Sequence, residues 1–526
     1  MTSITAVQTL APRVALAQPP TALTRAADTL TAAANVPSST VSLGQPTIAS
    51  EPQTYTRQGL LPGQTRYVWE NDSQDKLATS LLTAFKTSST AGRFNGIGAA
   101  LIEQLVRNGG SGISQSVFAV SDDSPINPAV LKLQQTRLRE NPDNGVSFSL
   151  TTASGATIRL SLASGEKGLA VSAEVDGGEL SDDELRGLGK LADSFQSTID
   201  GLKAQPPQLK LGALAKLDTT LFSSLQMNAK LQTPTGEQRF TLDLNERTRK
   251  LSLEGPTGEV RLSLDTHDGE LLGSADQRKA AIANYLTQFD AAQRRGRADE
   301  NLMGLFKDAF SQLNSLDDTR PTAVQKPFSM TDKDRALLSG LADFSASISE
   351  TAQRNNPMRQ DETDSFTFSA SQQTDIQRQG LQDYSVQQRQ QSKLDASFHQ
   401  GANPLMALSL GSDRESQNYS YHVIDDQASS TTRLGFDKGK LVEASATQQA
   451  SQKERILTYV NGDLKSDVTT PKAVTQSRNL QSLLKDAFEQ ERIAQRDRGD
   501  SVLEGLLQGQ RSQWWLQTDP AKIAAG

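Results

Sequence analysis

The strongest constraint in this chain is a turn that occurs twice, each time followed by apolar residues at every second position. Pro234-Thr235-Gly236-Glu237-Gln238-Arg239-Phe240-Thr241-Leu242-Asp243 is matched by Pro256-Thr257-Gly258-Glu259-Val260-Arg261-Leu262-Ser263-Leu264-Asp265. Pro and Gly suit the turn, and a period of two puts the apolar side chains on one face of a strand. Adjacent hairpins follow, as a meander from about 225 to 264. The same period appears earlier. Val146, Phe148 and Leu150, then Ile158, Leu160 and Leu162, then Leu169, Val171, Ala173 and Val175 alternate with polar residues. Turn signals at Ser154-Gly155 and Ser164-Gly165 divide them into a three-stranded meander.

Between the meanders the period lengthens. Leu185, Leu188, Leu191, Phe195, Ile199 and Leu202 form one helical stripe, and Ser181 with Glu184 three residues on predicts a capping box at its start. Two shorter stripes, Leu77/Leu81/Leu82/Phe85 and Ile97/Leu101/Ile102/Leu105/Val106, precede the first meander. Helical segments also repeat at long range. Asn301-Leu302-Met303-Gly304-Leu305-Phe306-Lys307-Asp308-Ala309-Phe310 is echoed by Asn479-Leu480-Gln481-Ser482-Leu483-Leu484-Lys485-Asp486-Ala487-Phe488. Ser181 to Asp193 is echoed by Thr331 to Asp343.

The expected fold class is α+β, with antiparallel β-meanders packed against amphipathic helices in two related modules. The expected divisions are a disordered Ala/Ser/Thr/Pro/Gln-rich segment at 1–64, a small mostly helical region at 65–144, a first module at 145–318, a degenerate second module at 328–496, and a C-terminal helix with a Trp tail at 497–526. The Gln-rich stretch from Gln377 to Gln391 reads as a mobile loop or an edge-strand hairpin.

Chemistry is harder to find. The chain has no cysteine, which excludes thiol nucleophiles, disulfides and zinc–thiolate sites. Its three histidines, His267, His399 and His422, have no metal-ligand spacing. His267 sits in a turn sequence, and in the Tyr419/Tyr421/Val423 alternation His422 points to the opposite face. Asp176-Gly177-Gly178-Glu179-Leu180-Ser181-Asp182-Asp183-Glu184 imitates the second half of a calcium loop. Counting back from Glu184 puts Ala173, Val175 and Gly177 where oxygen ligands are required, so a turn and a helix cap is the better reading. Gly92, Gly96 and Gly98 lack the buried strand and third small residue of a dinucleotide fingerprint. No catalytic, cofactor-binding or metal-binding residue is therefore assigned, and no cofactor is expected.

The formal net charge of −7 argues against nucleic-acid binding, which needs a net basic face. Arg294, Arg295 and Arg297, and likewise Arg492, Arg496 and Arg498, read as solvated helix surface. No apolar run is long enough for a transmembrane helix. Trp514-Trp515 stands out in a polar tail, either as an anchor for a protein partner or as a staple folded back on the body.

Arg93-Phe94-Asn95-Gly96-Ile97-Gly98, Gln115-Ser116-Val117 and the stretch from Val175 to Leu185 resemble segments of uncharacterised bacterial proteins of no assigned function. That resemblance implies a bacterial origin and no catalytic residue. The expected function is non-enzymatic binding or scaffolding by a cytoplasmic protein. The alternatives are a component or cargo of a flagellar-type or other non-Sec export system, exported without a cleaved signal peptide, and a cytoplasmic enzyme without a recognisable motif.

Overall fold

The computed structural model describes residues 65–71, 75–87, 89–121, 127–267, 269–315, 335–380, 382–403, 408–499 and 501–525. The expectation for 1–64 lies outside them, as do Thr331–Asp334.

One antiparallel sheet of fifteen strands organises the described residues. Its strands are β1 (Thr65–Trp69), β2 (Ile113–Ser121), β3 (Asn144–Thr152), β4 (Thr157–Ser164), β5 (Gly168–Asp176), β6 (Phe222–Thr233), β7 (Gly236–Asn245), β8 (Thr248–Gly255), β9 (Gly258–Asp265), β10 (Asp343–Glu350), β11 (Ser365–Arg378), β12 (Tyr384–Gly401), β13 (Tyr419–Asp437), β14 (Lys440–Val460) and β15 (Asp463–Asn479). They are ordered β1-β2-β5-β4-β3-β6, then β7 to β15 in sequence. Nine α-helices are described: α1 (Lys76–Phe85), α2 (Ile97–Arg107), α3 (Pro128–Glu140), α4 (Asp182–Lys203), α5 (Ala275–Gly296), α6 (Glu300–Asn314), α7 (Gln481–Arg498), α8 (Leu503–Gln508) and α9 (Pro520–Ala525).

Both predicted meanders are present, as β3–β5 and β6–β9, and the repeated Pro-Thr-Gly-Glu turns close the β6–β7 and β8–β9 hairpins side by side. The capping box is formed: the Ser181 hydroxyl accepts from the Glu184 amide, and the Glu184 carboxylate accepts from the Ser181 amide at 2.8 Å. α4 then lays Leu188, Phe195 and Ile199 against Phe148 and its neighbours, with the Phe148 and Phe195 rings 4.9 Å apart. The glycines near α2 serve packing. Gly96 takes a left-handed φ of 70° ahead of α2, and a Cβ on Gly98 would stand 2.9 Å from the Phe195 ring.

Where the two expected modules would meet, the sheet is continuous. β9 and β10 pair over eight residues, from Gly258↔Glu350 to Asp265↔Asp343. Leu341-Ala342-Asp343, expected to continue a helix as Leu191-Ala192-Asp193 does, instead leads into β10. The Gln-rich stretch is neither a loop nor an edge. It forms the β11–β12 hairpin in the sheet interior, with β12 also paired along its length to β13.

The helix-facing side of the sheet holds the main core. α1, α2 and α4 cover its first part, α5 and α6 its middle, and α9 meets β14 and β15. Arg295 corrects the solvated reading of its cluster: it leaves the surface of α5 to bind Asp426 of β13 and, at 3.3 Å, Glu454 of β14. Arg297 stacks over Phe398 at 4.8 Å. Arg492 and Arg496 make surface pairs with Glu489 and Asp497.

Candidate functional site

The opposite side of the sheet is a different surface. Antiparallel register carries one row of side chains straight across fourteen strands, from β2 to β15. It begins Ser114, Ser172, Ser161, Ser147, Asn228, Thr241 and Ser252. It continues Arg261, Ser347, Ser369, Lys393, Gln427, Ser451 and Ala473. A second row, two residues along each strand, runs Lys250, Ser263, Ser345, Ser371, Gln391, Ser429 and Gln449 from β8 to β14. Small hydroxyl residues leave the middle of this face low, and strands about 4.8 Å apart give the rows a regular spacing.

Three depressions follow one another along these rows. The first, of about 340 Å³, lies between Arg139 and Thr241. The second, of about 500 Å³, also touches Thr241 and reaches Ser369 and Ser371. Those two serines border the third, of about 360 Å³, which ends at Gln449 and Ser451. Shared residues make them one open trough across β3 to β14.

One end is covered by α3, which lies on β4 and β5 with Leu138 packed against Phe118, Ala163 and Ala170. On the same face but away from the trough, residues 351–364 and 408–418 pack over the far ends of β12, β13 and β14. His399 is the centre of this clasp. Its Nδ1 is 2.5 Å from Asp364 Oδ1 and its Nε2 is 3.0 Å from Glu362 Oε2. Glu362 also accepts from the Tyr419 hydroxyl at 2.7 Å. Asn356 donates to Tyr419 and to Gln417, while Tyr421 donates to the Thr363 carbonyl. Arg359 stacks on Tyr459 at 4.1 Å.

Burial alone would lower the His399 pKa, but the hydrogen bonds and charges of Asp364 and Glu362 overturn it and hold the imidazole up at about 9. Burial acts on Glu362 in the opposite sense, yet hydrogen bonds from His399 and Tyr419 keep its carboxyl below the usual range. Burial, then the hydrogen bond to Glu362 and its charge, pushes the Tyr459 phenol up to about 12. An imidazolium pinned between two carboxylates is a fastening, with its side chain 1% exposed. It presents neither nitrogen to a substrate.

The remaining singled-out residues take structural places. His267 is in a turn, its amide donating to Asp265. His422 faces the helix side, stacked on Phe398 and 2.9 Å from Glu454. Trp514 and Trp515 are buried, at 0% and 4% exposure. The Trp514 indole donates to the Leu337 carbonyl at 2.9 Å, and Arg511 stacks on Trp515. Gln448 donates to the Trp515 carbonyl at 2.6 Å and the Ser430 hydroxyl to that of Trp514. Both indoles are thus packed into the described body of the chain.

The sequence reading missed the trough. Its signal is present as Ser and Thr at the polar phase of the alternation in Ser147/Ser149, Ser345/Ser347 and Ser369/Ser371, but only the register aligns them. Among the described residues no group of three or more His, Asp or Glu side chains could hold a metal ion. No helix there is long and apolar enough to cross a membrane. No protein family, curated protein or solved structure matches the chain.

Proposed function

We propose that this is a binding protein whose ligand lies in the trough on the outer sheet face, the helices on the other face serving to hold that surface in shape. One observation carries the reading: the register-matched polar row crosses fourteen strands without an apolar side chain larger than alanine. A face that needed covering by another layer would carry apolar residues, as the helix side does. A solvated face with no role would have no reason to keep its middle low. The site is open and shallow, which suits an extended ligand better than a small one that must be enclosed. The two related modules inferred from the repeated segments give this reading an origin, with duplication lengthening one sheet and thereby its outer face.

The test fills the trough from within. Ser345 is exposed at its centre, so Ser345→Trp and Ser369→Trp are expected to leave the circular dichroism spectrum and unfolding midpoint unchanged. Purified from its own cells, the native chain should carry a ligand that both variants lack. Equal recovery of the same material with native and filled chains would remove the trough from consideration.

A further inference from the structure

We infer that the trough takes a linear acidic polysaccharide, running across the strands along the two polar rows; this rests on the trough being the ligand surface. Three properties of the lining select that chemistry. The first is spacing. The rows offer a polar side chain at every strand, about 4.8 Å apart, so a linear chain of small polar units laid across the strands meets new hydrogen-bonding partners along its whole length. The second is hydrogen bonding. Serine and threonine hydroxyls both donate and accept, and Asn228, Gln391, Gln427 and Gln449 offer both an amide and a carbonyl. Sugar hydroxyls need this two-way capacity; a peptide backbone meets its partners at a sheet edge rather than on a face.

The third is charge. Arg139, Lys230, Arg239, Lys250, Arg261 and Lys393 line the three depressions, and no carboxylate does. Most of these cations lean on acids just outside the lining. Arg239 pairs with Glu237 at 2.6 Å, Lys393 with Asp395 at 2.9 Å, and Arg261 with Glu259. Lys250 stands across the strand pair from Asp243. Arg239, Arg261 and Lys393 are 61%, 65% and 52% exposed, so their pairs are weak and open to competition from a ligand carboxylate.

What the trough lacks narrows the choice further. Phe240, the one aromatic residue at its wall, is buried on the helix side. Neutral glycans and single-stranded nucleic acids both depend on stacking against exposed rings, and no ring is offered here. Without stacking, affinity must come from charge and hydrogen bonds, and should fall as salt rises.

The experiment titrates the full chain with oligogalacturonate and alginate fragments, a neutral cello-oligosaccharide and oligo(dT), by calorimetry at low and high salt. Uronate binding that weakens with salt, with none of the neutral sugar or oligo(dT), is the expected result. The triple variant Lys250→Ala/Arg261→Ala/Lys393→Ala should weaken it at least tenfold, and Lys250→Arg/Lys393→Arg should restore it to within about threefold of native. Ser345→Trp should abolish it while the unfolding midpoint stays in place. Binding of oligo(dT) or of the neutral sugar as tight as that of the uronates would overturn the assignment, and so would absence of uronate binding. If uronates fail while Ser345→Trp still strips the cellular ligand, the acidic-glycan assignment falls and the trough stands. If Ser345→Trp strips nothing from the native chain, the trough itself is at fault.

Discussion

From β3 to β9 the helix-facing side chains are Val, Phe, Leu and Ile with few interruptions, and they meet the apolar stripes of α4 and α6. From β11 to β14 the same face carries Gln372, Gln388, Gln390, Gln448 and Asp426. The glutamines have specific work. Gln388 accepts from the Ser339 amide at 2.8 Å, and Gln390 accepts from the Leu516 amide at 2.7 Å. Gln372 donates to the Leu341 carbonyl, and Gln448 to that of Trp515. The layer over this half is largely irregular backbone, 335–342 and 511–518, whose peptide groups would otherwise be buried without partners. A helix satisfies its own backbone and can be met with hydrocarbon. An extended tail cannot, so the sheet below it must supply amides.

The contrast can be broken most severely by removing its largest buried rings. Phe195→Ala in the apolar half and Trp514→Ala in the polar half should each cost about 3–5 kcal/mol in urea unfolding. They should separate in local exchange: Trp514→Ala also frees the Leu337 carbonyl, so amides of 335–342 and 511–518 should lose protection first.

The His399 clasp comes next. Its pKa is raised from 6.5 to about 9, so its contribution is complete below about pH 6.5 and disappears as pH rises through 9. The corresponding free energy is roughly 3 kcal/mol. Glu362 is shifted the other way; its contribution holds above about pH 4.5 and is lost as pH falls through its lowered value. Protection factors of the amides across 353–364, with the intrinsic base-catalysed rate divided out, should therefore be highest in between and fall above pH 9. In His399→Gln the alkaline fall in protection should vanish; its persistence would assign the effect to another group.

A smaller effect sharpens the comparison directly. Leu242→Met in β7 should cost less than about 1.5 kcal/mol, because an apolar core accepts a swap of similar volume. Gln390→Met, equally similar in size, leaves the Leu516 amide and the Gln372 side-chain Oε1 each one partner short, and should cost about 2 kcal/mol or more. Equal losses would mean that shape, not hydrogen bonding, holds the tail. The smallest change belongs to the outer face, where Arg261→Ala should shift stability by no more than about 0.5 kcal/mol despite its pair with Glu259.

The same division explains what the residues revealed in advance. The hairpins of β6–β9, the β3–β5 meander and the cap of α4 were legible because apolar period and turn chemistry are local signals. The β11–β12 hairpin was obscured because alternation of glutamine with polar residues has no hydropathy contrast, although its period is still two. Arg295 looked solvated because its partners, Asp426 and Glu454, lie 131 and 159 residues away. The trough is the extreme case. Each strand contributes one or two unremarkable serines or their polar equivalents, and only the registers of fourteen strands together make them a surface.

The strand order also sets how such a chain can be built. The first five strands need a distant partnership before they close, since β2 waits for β5 and β3 for β6. From β6 to β15 every strand joins the one just made, so the sheet can lengthen at a single growing edge as the polypeptide emerges, with little loop entropy to overcome except between β9 and β10, where residues 266–342 intervene. Growth ends at β15, where Pro471 interrupts the run of amide donors and Lys465 and Lys472 place charge on the last edge. The tail residues that bond Gln390 and Gln448, namely Ser512, Trp515 and Leu516, are made after that. This segment thus completes a surface laid down 64 to 126 residues earlier, and a product cut short before Trp514 would have all its strands while Gln390 and Gln448 lacked their partners at Leu516 and Trp515.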